Sequence, residues 1–193
     1  MAEGVQLKKK ISLRRKEKPA EFVFTQYLKV KLLWEAKTDL DLCIFYTKKD
    51  GEVGGVFSSL FRQKKSDMGS LDSFPFMLHT GDKPEPSAGG ESVEQINISN
   101  LDEIDTANVV VLNYGKAIEG EEVNFAEDSG RVEIQSSEGD YFEVSIDATE
   151  MGHVYHVCSI KNSNGNNAVV NEGVVMDLGT AFDKIPGFSL ICE

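Results

Sequence analysis

At 193 residues, with 40% hydrophobic and 27% charged side chains, the chain has the length and composition of a folded domain with a sizeable core, which excludes disorder throughout. Its net charge of −12 divides unevenly: residues 1–65 hold 15 of the 20 Lys and Arg against 8 acids, or +7, and residues 66–193 hold 5 against 24, or −19. An acidic half of this size argues against nucleic acid as a partner and for cations or a basic protein surface.

Residues 8–18 carry seven Lys or Arg, interrupted by Ile11 and Leu13, and end at Pro19. Two readings apply: an arm giving phosphate or peripheral membrane contact through Lys8–Lys18, or an edge strand guarded by lysines with Ile11 and Leu13 turned inward. The lack of interleaved aromatic residues favours the edge strand. From Glu21 to Trp34 the pattern alternates, with Leu28, Val30, Leu32 and Trp34 on one face of a predicted strand.

The alternation resumes at Asp39. Leu40, Leu42, Ile44 and Tyr46 share one face, and Asp39, Asp41, Cys43 and Phe45 share the other. Two carboxylates on one face of a half-buried strand repel and resist losing water unless a cation or backbone donors compensate them. The plain alternative is a strand end with solvated aspartates. Asp50-Gly51 predicts a hairpin to a strand over 53–61, where Gly54-Gly55 marks a bulge or a close backbone approach. Residues 62–76 are polar and irregular.

The stretch from Met77 to Ile96 is a predicted surface loop, because between Gly81 and Gly90 it holds glycines, prolines and no apolar residue beyond Ala88. It carries Asp82, Glu85, Glu91 and Glu94. An acidic, glycine-rich loop can bend to offer oxygens to a hard cation, although its spacing is not that of an EF-hand. Ile96 and Ile98 open the next predicted strand, a short turn follows at 99–103, and Asn108–Tyr114 is a buried central strand. Residues 115–129 read as acidic loop with Phe125 its one large apolar residue. Two hairpins follow, Arg131–Ser136 with Tyr141–Ile146 and His153–Ile160 with Ala168–Met176. Eight or more short strands predict an all-β fold, an antiparallel β-sandwich with short helical turns, as a single domain over 1–193 with a basic segment at 1–20.

Four features in order, Trp34 followed by an acid, Asp39-Leu40-Asp41, His79-Thr80-Gly81-Asp82 and Glu94-Gln95-Ile96, resemble the TerD family of tellurite-resistance and stress-response proteins. The resemblance runs from about Leu7 to Gly187. It implies a β-sandwich with calcium sites at one end, and it transfers the metal-ligand role to Asp39, Asp41, Asp82 and Glu94, with Glu91 standing in for a lost aspartate. This chain departs from the family at Lys37, Lys83, Ser92 and Val93, where the family places asparagine or aspartates. One calcium ion is therefore expected rather than two. The resemblance also implies partners among the proteins of a stress-response complex.

Other chemistry finds little support. His153 and His156, three apart on a strand, point to opposite faces and cannot share an ion. Cys43 is a soft ligand for a hard cation. The three cysteines, 43, 158 and 192, are widely spaced, which fits a reducing, cytoplasmic setting, and no apolar run has signal-peptide or membrane-spanning length. No nucleophile elbow, zinc-protease motif or dinucleotide fingerprint occurs. Three readings remain: a non-catalytic calcium-binding interaction module, a metal-free scaffolding relative, and an enzyme with an unrecognised site.

Overall fold

Alternating side chains on short strands build two sheets, and the way their apolar faces meet sets the architecture. The computed structural model describes residues 10–13, 18–24, 26–35, 38–58, 68–81, 90–163 and 166–192. In chain order the strands are β1 (Lys10–Ser12), β2 (Ala20–Phe22), β3 (Leu28–Glu35), β4 (Asp41–Lys48), β5 (Val53–Val56), β6 (Gly69–Ser70), β7 (Met77–His79), β8 (Glu91–Ile98) and β9 (Ile104–Leu112). After helix α1 (Tyr114–Glu119) come β10 (Val123–Asn124), β11 (Arg131–Ser136), β12 (Tyr141–Ser145), β13 (Met151–Gly152), β14 (Val154–Ser163) and β15 (Asn166–Met176), then helix α2 (Leu178–Lys184). One sheet has the order β1-β12-β11-β3-β8-β7-β6 and the other β2-β15-β14-β9-β4-β5, with β10 and β13 forming a small ribbon. Pairing is antiparallel throughout except between β1 and β12. This is the expected all-β sandwich.

The main core fills the space between the sheets: Leu28, Val30, Leu32 and Trp34 of β3 face Leu42, Ile44 and Tyr46 of β4 and Val109 and Val111 of β9. A second core lies on the outer side of the six-stranded sheet. There Cys43, Phe45, Val110, Leu112, Val154 and Met176 are covered by Ala181 and Ile185 of the α2 segment and by Phe188 and Ile191 of the 3-10 turn Phe188–Cys192. The central strand β4 is thus buried on both faces over 41–46 rather than half-buried, because the C-terminal segment excludes water from the face that Asp41 shares with Cys43 and Phe45. That cover carries no alternation of its own in the sequence.

Other sequence expectations shift in the same way. The stretch 21–34 is two strands in different sheets, β2 beside β15 and β3 beside β8 and β11. Gly54 and Gly55 form no bulge, for β5 pairs with β4 in unbroken register. Instead the Tyr46 ring lies across Gly54, where a Cβ would come within 2.3 Å, and the Phe45 ring lies across Gly55 on the other face. Gly187, at φ +85, brings the C-terminal segment onto the Gly54 carbonyl, so a side chain is excluded there both by the left-handed backbone and by the contact. The basic arm supplies an edge strand at Lys10–Ser12 with Leu13 buried, and Lys10 pairs with Glu143 at 2.9 Å. Its flanking residues 8–9 and 14–17 lie outside the described residues.

Residues 115–129 are not simply loop. Asn113 caps α1 by accepting from the Lys116 N–H, and Asn124 caps a 3-10 turn at Phe125–Asp128 by accepting from the Ala126 N–H. Ile96 and Ile98 end a strand rather than begin one: β8 starts at Glu91, and its inward positions are Ser92, Glu94, Ile96 and Ile98.

Candidate functional site

Of the carboxylates singled out from sequence, Asp39, Asp41 and Glu94 lie at the start of β4, and backbone valence explains the last two. In an antiparallel sheet a residue's N–H and C=O point to the same neighbour, alternating along the strand. Strand β5 ends at Val56, opposite Ile44, so the backbone groups of Leu42 extend past it. Two side chains from the opposite sheet take the missing strand's place. Glu94 Oε2 accepts from the Leu42 N–H at 2.6 Å, and His79 Nε2 donates to the Leu42 carbonyl at 3.2 Å. His79 Nδ1 accepts from the Gly81 N–H at 3.0 Å, which places the ring proton on Nε2, 3.5 Å from Glu94 Oε2. Both side chains are buried, with Glu94 4% and His79 1% exposed.

Asp41, 5% exposed, acts on the other flank of the same strand. It pairs with Leu112 across β9, and its Oδ2 accepts at 3.0 Å from the N–H of Tyr114, the first residue of α1. A backbone N–H therefore meets this carboxylate, one of the two kinds of compensation that the sequence reading called for. Asp39 is exposed just before the strand.

Glu91 stands apart. It is three residues from Glu94 on β8 and hence on the outward face, where Arg131 holds both its oxygens at 2.6 and 3.3 Å while also donating to Glu133 at 2.8 Å. That guanidinium lowers the Glu91 carboxyl below the usual glutamate range, and Glu91 in turn raises Arg131. Glu91 and Glu94 point to opposite sides of one sheet and do not converge. Asp82 and Glu85, with Lys37 and Lys83, lie outside the described residues.

One participant carries no motif. Asp128, 1% exposed at the end of the 3-10 turn, accepts from Thr38 twice: from its N–H at 3.1 Å and from its hydroxyl at 2.8 Å. The Thr38 carbonyl in turn accepts from the indole N–H of Trp34 at 2.9 Å. The signal available in sequence was Asn124 followed by Phe125, an N-cap before an apolar anchor, which marks an ordered turn rather than a solvated loop.

In kind, these groups suit a hard cation, since Asp39, Asp41 and Glu94 offer oxygen and Cys43 is packed in the second core. In number, the described residues do not complete a shell: among them no three His, Cys, Asp or Glu side chains gather closely enough to hold an ion.

A second polar group sits on the outer face of the six-stranded sheet. A bulge between His156 and Cys158 puts His156 and Ser159 on the same face, overriding the usual alternation. Ser159 Oγ lies 2.8 Å from Glu172 Oε1, 3.1 Å from Asn108 Oδ1 and 3.3 Å from His156 Nε2. The residue types suggest a nucleophile and base, but the order does not: Glu172 is within hydrogen-bond reach of the serine hydroxyl itself rather than of the histidine's far nitrogen, and Ser159 is 1% exposed. Burial depresses the His156 pKa, and the Glu172 carboxylate opposes that shift. His153 lies outside β14 and does not join this group.

Comparison of the chain with protein-family models, with curated proteins and with solved structures yields no match. Among the described residues no helix is long and apolar enough to cross a membrane.

Proposed function

We propose that this chain is a TerD-like, non-catalytic interaction module of a stress response that binds one calcium ion beside the start of β4. The reading is supported chiefly by the bridge from His79 to Leu42, which, with the Gly81 N–H donating to the His79 ring, ties the end of β7 to the backbone of β4 one residue after Asp41. Asp39 and Asp41, with Asp82 and Glu94, would hold the ion, which when bound would neutralise the local excess of carboxylate charge. Proteins of a stress-response complex, bearing basic surface, are the partners that suit the acidic half.

Calorimetry on chelator-treated protein tests this, with one calcium ion expected per chain. At about a hundred times its dissociation constant the ion adds roughly 2.7 kcal/mol, and the melting temperature rises by about 5 to 11 °C. Magnesium, which demands tighter octahedral geometry, gives markedly less. Asp41→Asn removes most of the response yet retains an oxygen for the Tyr114 N–H. A melting temperature that ignores millimolar calcium in both proteins would sink the reading.

A metal-free scaffold is the second reading, and one observation favours it: Asp41 and Glu94 each already serve a backbone N–H on opposite flanks of β4. Under that reading Glu94→Gln keeps wild-type stability and no calcium heat is seen with either protein.

A further inference from the structure

We infer that His156, Ser159 and Glu172 form a proton-operated latch, which ties the edge strand β15 to β14 at a break in their pairing and lets go when His156 is protonated. The latch is independent of any calcium site. Strand β2 pairs only with residues 167–169, so from residue 170 onward β15 is an edge among the described strands. Within that edge the ladder is interrupted: Glu172 and Gly173, the latter at φ +57, stand opposite the single Val157, and the same Val157 has no opposite number on β9. Side chains bridge the gap. Ser159 reaches Glu172 on one neighbouring strand and Asn108 on the other, and the bulge turns His156 onto the same hydroxyl.

Valence fixes how the cluster is wired. A serine hydroxyl has one proton and two lone pairs, and a carboxylate only accepts, so Ser159 donates to Glu172. The lone pairs then call for donors: the Nε2–H of His156, and an N–H of the Asn108 amide in the orientation that turns its nitrogen to the serine. His156 is thereby the Nε2–H tautomer, and acid adds its proton at Nδ1. That proton enters dry surroundings. Ser159 and Asn108 are 1% and 6% exposed, and Val110 and Val174 flank His156 across the two strands. Two charges act on the ring: Glu172 of β15 favours the cation and Lys161 of its own strand opposes it. Strand β9 faces it with the uncharged Asn108 and Val110, and Asp183 and Lys184 of α2 lie in solvent. Burial outweighs Glu172, so the folded pKa lies below 6.5. The closed latch therefore contributes fully above pH 6.5 and loses its contribution as pH falls from there through the lower folded value. Val154 and Met176, paired two residues further along, lie under the C-terminal cover, so opening the latch loosens the margin of the second core.

The test follows amide hydrogen exchange of residues 171–174 and the ring signals of His156 by NMR, in the full chain, from about pH 8 to about pH 5, where histidines titrate. Corrected for intrinsic exchange, wild type should open more at 171–174 as pH drops below 6.5, by about tenfold for each pH unit between the unfolded and folded titrations. Strand β4 should not follow, which separates the latch from acid acting on His79 at Leu42. His156→Gln keeps an N–H donor and cannot titrate, so its opening should be flat across the range. Glu172→Gln keeps an acceptor without the charge, and in it His156 should titrate at lower pH than in wild type. Lys161→Gln, at an exposed position, should raise that titration and carry the opening with it to higher pH. Equal acid-induced opening in wild type and His156→Gln would overturn the inference, as would a wild type whose 171–174 segment does not respond, or a His156 titration unmoved by either charge variant. Should His156→Gln fail to fold, Lys161→Gln decides: opening that stays at the wild-type pH while the His156 titration moves rules the latch out.

Discussion

The outer faces of the two sheets are made by the same backbone and solve opposite problems. On the seven-stranded sheet, Lys29, Lys31, Gln95, Asn97, Glu133 and Gln135 alternate with core residues and stay at least partly in water; Lys31 sits directly across from Glu133 on one side and Gln95 on the other. On the six-stranded sheet, Cys43, Phe45, Val110 and Leu112 occupy the equivalent outward positions and need the C-terminal segment to cover them. Polar alternation is thus a property of a face that meets solvent, and a strand covered on both sides loses it.

Removing the cover should produce the largest effect. Phe188 is fully buried, with its ring 5.2 Å from Phe45 and 5.3 Å from Phe182. Phe188→Ala should cost about 3–5 kcal/mol in chemical denaturation, and a loss below about 1 kcal/mol would show that the outer face tolerates water. An intermediate effect is expected at Glu94, on the inward side of β8. Glu94→Ala leaves the Leu42 N–H without its carboxylate acceptor, at about 1–3 kcal/mol, whereas Glu94→Gln keeps an acceptor and should recover most of it. Equal losses in both variants would mean that the charge, not the hydrogen bond, matters at this position.

The smallest effect belongs to Glu91, three residues away on the wet face. Its side chain is 35% exposed, so Glu91→Ala should change stability by at most about 1 kcal/mol, less in high salt. The pH dependence has a defined sign. Because Arg131 depresses the Glu91 pKa in the folded protein, the pair's contribution is complete above the ordinary value of 4.5 and is lost as pH falls from there through the lower folded value. Wild type and Glu91→Ala should therefore converge in stability as the solution is acidified below pH 4.5, and a gap that widens instead would contradict the ion pair.

Period-two patterns and turn residues were enough to place the strands β3, β4, β11, β12, β14 and β15, the hairpin at Asp50-Gly51 and the sandwich class, because those signals are local and follow from side-chain direction along a strand. The grouping of Asp39, Asp41 and Glu94 in one candidate site came from the family resemblance and not from those patterns. What sequence alone could not supply is which partner each acid meets. Glu94 and Glu91 differ only in parity along β8, yet one replaces a missing strand at Leu42 and the other pairs with Arg131, and that outcome depends on where β5 stops and which strand lies alongside. Asp128 reaches Thr38, just before β4, across 90 residues, a contact that no spacing rule predicts. The dryness of β4's outer face was likewise decided by a C-terminal segment whose packing exists only once the sheet it covers has formed.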